Sequence, residues 1–226
     1  MRKVVLFSFC ATLAVAASAV VTAKADTILA NWTFETSNPT TAGPFVAEAG
    51  VNAASSAALG GTGGTYSAPA GNGVGSVHSF SSNGWDVGDY WQFSVPTTGY
   101  NLLTLAFDQA GSNTGPGNFT ISTSTDGTTF NPLSSSAYTV TLSNWNTTTL
   151  QPGFTHTFSI PDGTISVRLV DANTTSVNAT TVAATGTDRV DNVIISGTAV
   201  PEPTTIVLGC LGLLGLLSVA HRRKMA

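Results

Sequence analysis

Between residues 90 and 170 the apolar side chains fall on alternate positions. Trp91, Phe93 and Val95 alternate with Gln92 and Ser94. Leu103, Leu105 and Phe107 alternate with Thr104 and Ala106, and Phe119 and Ile121 with Thr120 and Ser122. Phe154, His156, Phe158 and Ile160 share one face of a later run; Ile165, Val167 and Leu169 share one face of the next. A period of two puts one row of side chains against a core and the other toward water, which is how a half-buried strand reads. Turn signals separate the runs: Asp126-Gly127, Pro132, Pro152-Gly153 and Pro161-Asp162-Gly163. No helical period of useful length runs from Asp26 to Thr198. The pattern predicts an all-β domain over residues 26–199, an antiparallel β-sandwich or jelly roll. Residues 50–75 are mostly Gly, Ala, Ser and Thr, with Gly60-Gly61 and Gly63-Gly64, and read as a long loop.

The two ends follow another pattern. Met1-Arg2-Lys3 is a short positive segment, Val4 to Val21 is almost wholly apolar or small, and Ala23-Lys24-Ala25 follows. Small Ala23 and Ala25 at that spacing predict a signal peptide over residues 1–25, cut by signal peptidase before Asp26. At the other end, Val200-Pro201-Glu202-Pro203 precedes an apolar stretch from Thr204 to Ala220. Its length is at the short end for a membrane helix. Gly209, Gly212 and Gly215 fall near one face of such a helix, a spacing tolerated in lipid. Arg222, Arg223 and Lys224 would then stay cytoplasmic and leave the domain facing outward.

Charge narrows the partners. Arg168 and Arg189 are the only basic residues between Asp26 and Val200, against eleven acidic ones, a net of −9. Two arginines cannot make a phosphate-backbone patch, so nucleic acid is excluded as a partner. Cys10 and Cys210 both lie in the apolar end segments, so the domain has no disulfide and no cysteine nucleophile. Its histidines are His78 and His156, its glutamates Glu35 and Glu48, and no catalytic motif surrounds them. The expectation is a domain that is not an enzyme. The Ser124–Phe130 run, with Asp126-Gly127 at its centre, reads as a hairpin turn.

The tail, with Pro-Glu-Pro, a Gly/Leu-rich helix and a terminal basic cluster in that order over residues 200–226, closely resembles the PEP-CTERM sorting signal of Gram-negative and related bacteria. That resemblance implies processing by an exosortase, a membrane cysteine transpeptidase, with Pro201, Glu202 and Pro203 recognised as substrate. It also implies transient anchoring through helix 204–220 and then the cell surface or an extracellular polysaccharide matrix.

The middle resembles jelly-roll modules of the galactose-binding-like or carbohydrate-binding kind. The landmarks are Asn31-Trp32-Thr33-Phe34-Glu35, Gly84-Trp85-Asp86-Val87-Gly88-Asp89-Tyr90-Trp91 and Asp188-Arg189-Val190-Asp191-Asn192-Val193-Ile194-Ile195. Such modules often hold a structural calcium between first and last strands, which here points to Glu35 with Asp191 or Asp188. No other cofactor is expected. Sugar binding needs an exposed aromatic platform, and Tyr66, Trp85 and Trp145 lie in loop-like contexts that suit one; Trp32, Trp91 and Phe93 read as core, and His156 as a core or interface residue. The expected function is an exported, non-enzymatic sandwich that binds polysaccharide. The alternatives are a structural matrix protein without a ligand and a divergent carbohydrate-active hydrolase.

Overall fold

The computed structural model describes residues 26–52, 55–61, 64–145, 150–159 and 163–200, with 209, 212–217 and 221 of the tail. Ala23 and Ala25, the triplet Pro201, Glu202 and Pro203, and the cluster Arg222, Arg223 and Lys224 lie outside the described residues.

In chain order the strands are β1 (Thr27–Trp32), β2 (Phe45–Val46), β3 (Ser56–Gly60), β4 (Tyr66–Ser67), β5 (Phe80–Ser82), β6 (Tyr90–Pro96) and β7 (Tyr100–Gly111). They continue with β8 (Asn118–Ser124), β9 (Asn131–Pro132), β10 (Tyr138–Thr139), β11 (Phe154–Ser159), β12 (Thr164–Asp171) and β13 (Asp188–Ala199). Two antiparallel sheets face each other. The first runs β11-β7-β13-β5-β4, with β1 also on β13; the second runs β10-β8-β12-β6-β3-β2, with β9 on β8. From β6 to β8, and again from β11 to β13, the chain changes sheet at every connection, as a jelly roll does.

The alternating rows do what their period requires. Trp91, Phe93 and Val95 of β6, Leu103 and Leu105 of β7, Phe119 and Ile121 of β8, and Ile165, Val167 and Leu169 of β12 are all buried between the sheets. Trp91 sits at the centre of the aromatic core, with Phe80 at 4.6 Å and Trp85 at 5.2 Å between ring centres. The core cluster runs from Leu29 to Ile195. Strand β1 pairs with β13, and the Thr198 hydroxyl donates to Asp26 at 2.6 Å, so both ends of 26–199 are tied to the sandwich. The 26–199 fragment should therefore fold without the tail, which a β-dominated circular-dichroism spectrum of the fragment checks.

Two expectations need correction. The 50–75 stretch is not one long loop. Ser56–Gly60 forms β3 in register with β6, with Ala57 opposite Phe93 and Leu59 opposite Trp91. Small residues suffice there because the neighbouring strand supplies the bulk. Tyr66–Ser67 likewise pairs with β5. The early strand also stops sooner than the Asn31–Glu35 landmark suggests. β1 ends at Trp32, and Phe34 takes a left-handed φ of 57° with its ring buried against Phe80.

In the tail, 212–217 are helical and Leu213, Leu214, Leu216 and Leu217 are exposed, outside the core. Much of the 204–220 segment lies outside the described residues. Among the described residues no helix is long and apolar enough to cross a membrane.

Candidate functional site

The site grows from the loop after β1. Glu48 holds that loop closed. Its carboxylate accepts from the Thr33 hydroxyl, and from the amides and hydroxyls of Thr36 and Ser37 at 2.8–3.0 Å. Partial burial alone would raise the Glu48 pKa, but these donors outweigh it and hold it at about 2. The closed loop aims Glu35 at the 72–78 segment. There Glu35 Oε1 accepts from the Ser76 hydroxyl at 2.8 Å and from the Val77 amide at 3.0 Å.

Asp191 reaches the same serine from β13. Its Oδ2 lies 2.9 Å from Ser76 Oγ and accepts from the Asn72 amide at 2.9 Å. Asp191 is fully buried, and burial raises its pKa to about 7, opposed by donors from Asn72, Ser76 and Asn192. A hydroxyl has one proton, so Ser76 cannot donate to both carboxylates at once. A side chain at Gly71 would place its first carbon 2.0 Å from both Asp191 Oδ2 and Ser76 Oγ, so glycine is what leaves this node its space.

Asp188 does not join them. It faces the opposite side of β13, where Oδ1 accepts from Trp91 Nε1 at 2.6 Å and Gln109 Nε2 at 2.9 Å. Residues three apart on a strand point to opposite faces. Of the expected calcium set, the fold brings together Glu35 and Asp191 only. Among the described residues no group of three or more His, Cys, Asp or Glu is placed to hold a metal.

Beside the node lies a cleft of about 690 Å³ on the outer face of the first sheet. Leu150, Val74 and Ile194 give it apolar walls, and Asp108, Asn192 and Thr155 supply polar groups. Phe154 borders it from the inner face, where its ring stacks on Phe107 and packs against Tyr138. Asn192 sits at a bulge in β13 with φ 49°, and its amide donates to Asp108 at 2.8 Å.

The aromatic platform expected of Trp85 and Trp145 is absent. Trp85 is 5 % exposed, packs against Trp91 and Phe119, and donates to the Ser82 carbonyl at 3.0 Å. Trp145 is 6 % exposed, and Tyr66 packs partly buried on the core beside Phe80. Loop rings fold inward here because the sandwich ends need apolar cover. His156 stacks on Phe107 and packs against Tyr138, and burial lowers its pKa.

Another buried acid predicts a pH response. Asp171 ends β12, almost fully buried near Asp89 and Asp86. Burial raises its pKa to about 7; Asp89 and Asp86 add to the rise and the Asn173 amide opposes it. Between the unfolded value and 7 the folded state keeps a proton the unfolded chain has lost. This contribution to stability is therefore full below about pH 4 and is lost as pH rises through 7. A shift of this size is worth up to roughly 4 kcal/mol. Asp171→Asn should melt roughly 5–10 °C above wild type at pH 8 and level with it at pH 4. Equal melting at pH 8 would contradict the assignment.

Residues 199–224 match the family model described as the PEP-CTERM protein-sorting motif. The tail is a PEP-CTERM protein-sorting motif. It implies exosortase-dependent export and a surface or extracellular destination. The PEP-CTERM motif starts where β13 ends: Ala199 is the last strand residue, and the Val200 amide donates to the Gly99 carbonyl at 2.8 Å. No linker separates domain from motif.

Several solved structures are distantly similar to this chain. The CBM22-1–GH10 modules of Clostridium thermocellum xylanase 10B, complexed with xylohexaose, are 13 % identical with a TM-score of 0.47. The match covers 79 % of this chain and 30 % of that one, so this chain corresponds to under a third of that protein. The CBM35 from Cellvibrio japonicus Abf62 is 19 % identical, covering 65 % of this chain and 96 % of its own, with a TM-score of 0.40. The K3 cleaved adhesin domain of Lys-gingipain from Porphyromonas gingivalis is 14 % identical over 76 % and 98 %, with a TM-score of 0.41. Likeness at this level says nothing of this chain's ligand. No curated protein matches the sequence.

Proposed function

We propose that this is a surface or matrix protein whose β-sandwich binds polysaccharide without catalysis, delivered there through its PEP-CTERM tail. The tail helix holds the exported chain in the membrane until an exosortase acts on Pro201-Glu202-Pro203. The cleft on the first sheet carries the binding half of the reading. It joins an apolar wall from Leu150 and Val74 to the hydrogen-bonding groups of Asp108 and Asn192. That mixture suits a sugar ring, which has apolar faces and a polar rim. The carboxylates beside it are tied to donors, Asp191 to Asn72 and Ser76 and Asp108 to Asn192, which suits positioning better than proton transfer. Leu150→Ala and Asn192→Ala should each abolish retention of the 26–199 fragment in gels cast with neutral polysaccharides. Unchanged retention of both variants would place binding elsewhere.

A structural calcium fits the Glu35–Asp191 node. The node offers hard oxygens: two carboxylates, the Ser76 hydroxyl and the His78 carbonyl, 3.3 Å from that hydroxyl. Backbone oxygens and water would complete the six to eight ligands calcium takes. An ion bound only by the folded state stabilises it by about 2.7 kcal/mol at a hundredfold excess over its dissociation constant. Chelation should therefore lower the melting temperature of 26–199 by roughly 5–10 °C, and Asp191→Ala should remove that response. Identical melting with and without chelator would count against calcium.

A further inference from the structure

Arg168, one of the domain's two positive charges, stands on the sheet opposite the cleft. It lies mid-way along β12, beside Gln92 of β6 and Ser122 of β8 in the register. Both neighbouring rows of that face are uncharged: Ser94, Ser166 and Ser124 on one side, Tyr90, Val170 and Thr120 on the other.

The guanidinium is clamped on three sides. Its carbon is 3.6 Å from the Tyr90 ring centre and 3.4 Å from that of Phe130, so both planar faces are covered. Its Nε donates to Gln92 Oε1 at 2.9 Å. Several elements cooperate to build this clamp. Gly60 lies opposite Tyr90, where a side chain's first carbon would come 2.3 Å from the ring. Phe130 ends the Asp126 turn, in which Asp126 Oδ1 accepts from the Ser124 hydroxyl and the Thr128 and Thr129 amides at 2.7–2.8 Å.

What remains is the outer edge, the two Nη groups, for which the described residues supply no acceptor. That edge presents parallel N–H bonds at the spacing of two carboxylate oxygens. A clamp needed only to pin the turn would not require a charged group with its far edge bare. We propose that this edge recognises the carboxylate of a uronate residue in an acidic polysaccharide, with Gln92, Ser94 and Ser166 within reach of the sugar hydroxyls. The proposal rests on reading the domain as a polysaccharide binder, but it uses a different sheet and a different ligand charge from the cleft. The domain's net negative charge does not forbid it, since charges more than about 8 Å away are largely screened at physiological salt.

Affinity electrophoresis of 26–199 in polygalacturonate, against the same polymer with its carboxyl groups reduced, tests this. Wild type should be retained by polygalacturonate and bind the reduced polymer about tenfold more weakly. Arg168→Lys keeps the charge and loses the fork, and should weaken polygalacturonate binding by a similar factor, with melting within a few degrees of wild type. Leu150→Ala, in the cleft, should leave this binding intact. Equal retention by the reduced polymer, or undiminished binding by Arg168→Lys, would overturn the proposal. Retention by neutral polysaccharides alone would overturn it while sparing the cleft, and no retention by any polymer would remove both readings.

Discussion

Replacing Pro201, Glu202 and Pro203 with alanines should leave the exported protein full-length and cell-associated in a host that has the exosortase. The effect should be close to complete, because the proposed processing acts at this triplet, within the motif that spans 199–224. Nothing in the folded domain can compensate. The last strand residue is Ala199 and the Val200 amide donates to the Gly99 carbonyl, so the proposed processing would take place at the rim of the sandwich. Immunoblotting of membrane and medium fractions reads the outcome. Normal release of the alanine variant would remove the tail from the account. No cysteine lies within 26–199, so the melting of that fragment should be the same with and without reducing agent.

Trp91→Ala should produce the largest loss of stability in the domain. The ring is fully buried between Phe80 and Trp85, and truncating such a side chain costs about 3–5 kcal/mol. The substitution also removes one of the two donors to Asp188 Oδ1, leaving Gln109 Nε2, and the lost hydrogen bond adds about 0.5–1.5 kcal/mol. Domains of this size are stable by only about 5–15 kcal/mol, so the variant should lose at least ~10 °C of melting temperature or fail to fold. Trp91→Phe separates the two contributions: it keeps most of the ring and loses only the Nε1 donor. Its loss should be a fraction of the alanine variant's. Alanine and phenylalanine variants that melt alike would show that the hydrogen bond to Asp188, not the packing, governs this position.

How legible this was depended on the kind of residue. β6, β7, β8 and β12 could be read from alternation, because each buries one face and the period survives in the letters. β3 could not, since Ala57 and Leu59 borrow their bulk from Phe93 and Trp91 across the register. The fate of Trp85 and Trp145 was hidden for a related reason: outside strands no period tells which way a ring turns. At the candidate node, Glu35 and Asp191 were visible as acids near the first and last strands. Asp188 is three residues from Asp191, and on a strand that spacing separates the two acids onto opposite faces. Ser76 and the Arg168 clamp left no local signal, because their partners come from far along the chain. Glu48 left none because its partners, Thr33, Thr36 and Ser37, meet it only once the loop after β1 closes.

The central claim is that the delivered domain holds polysaccharide. Calorimetric titration of the 26–199 fragment against polysaccharide purified from the host's own extracellular matrix tests it most directly. The account predicts saturable heat that Leu150→Ala or Arg168→Lys diminishes. A titration indistinguishable from dilution would contradict it and leave a tail-sorted structural protein with no glycan ligand.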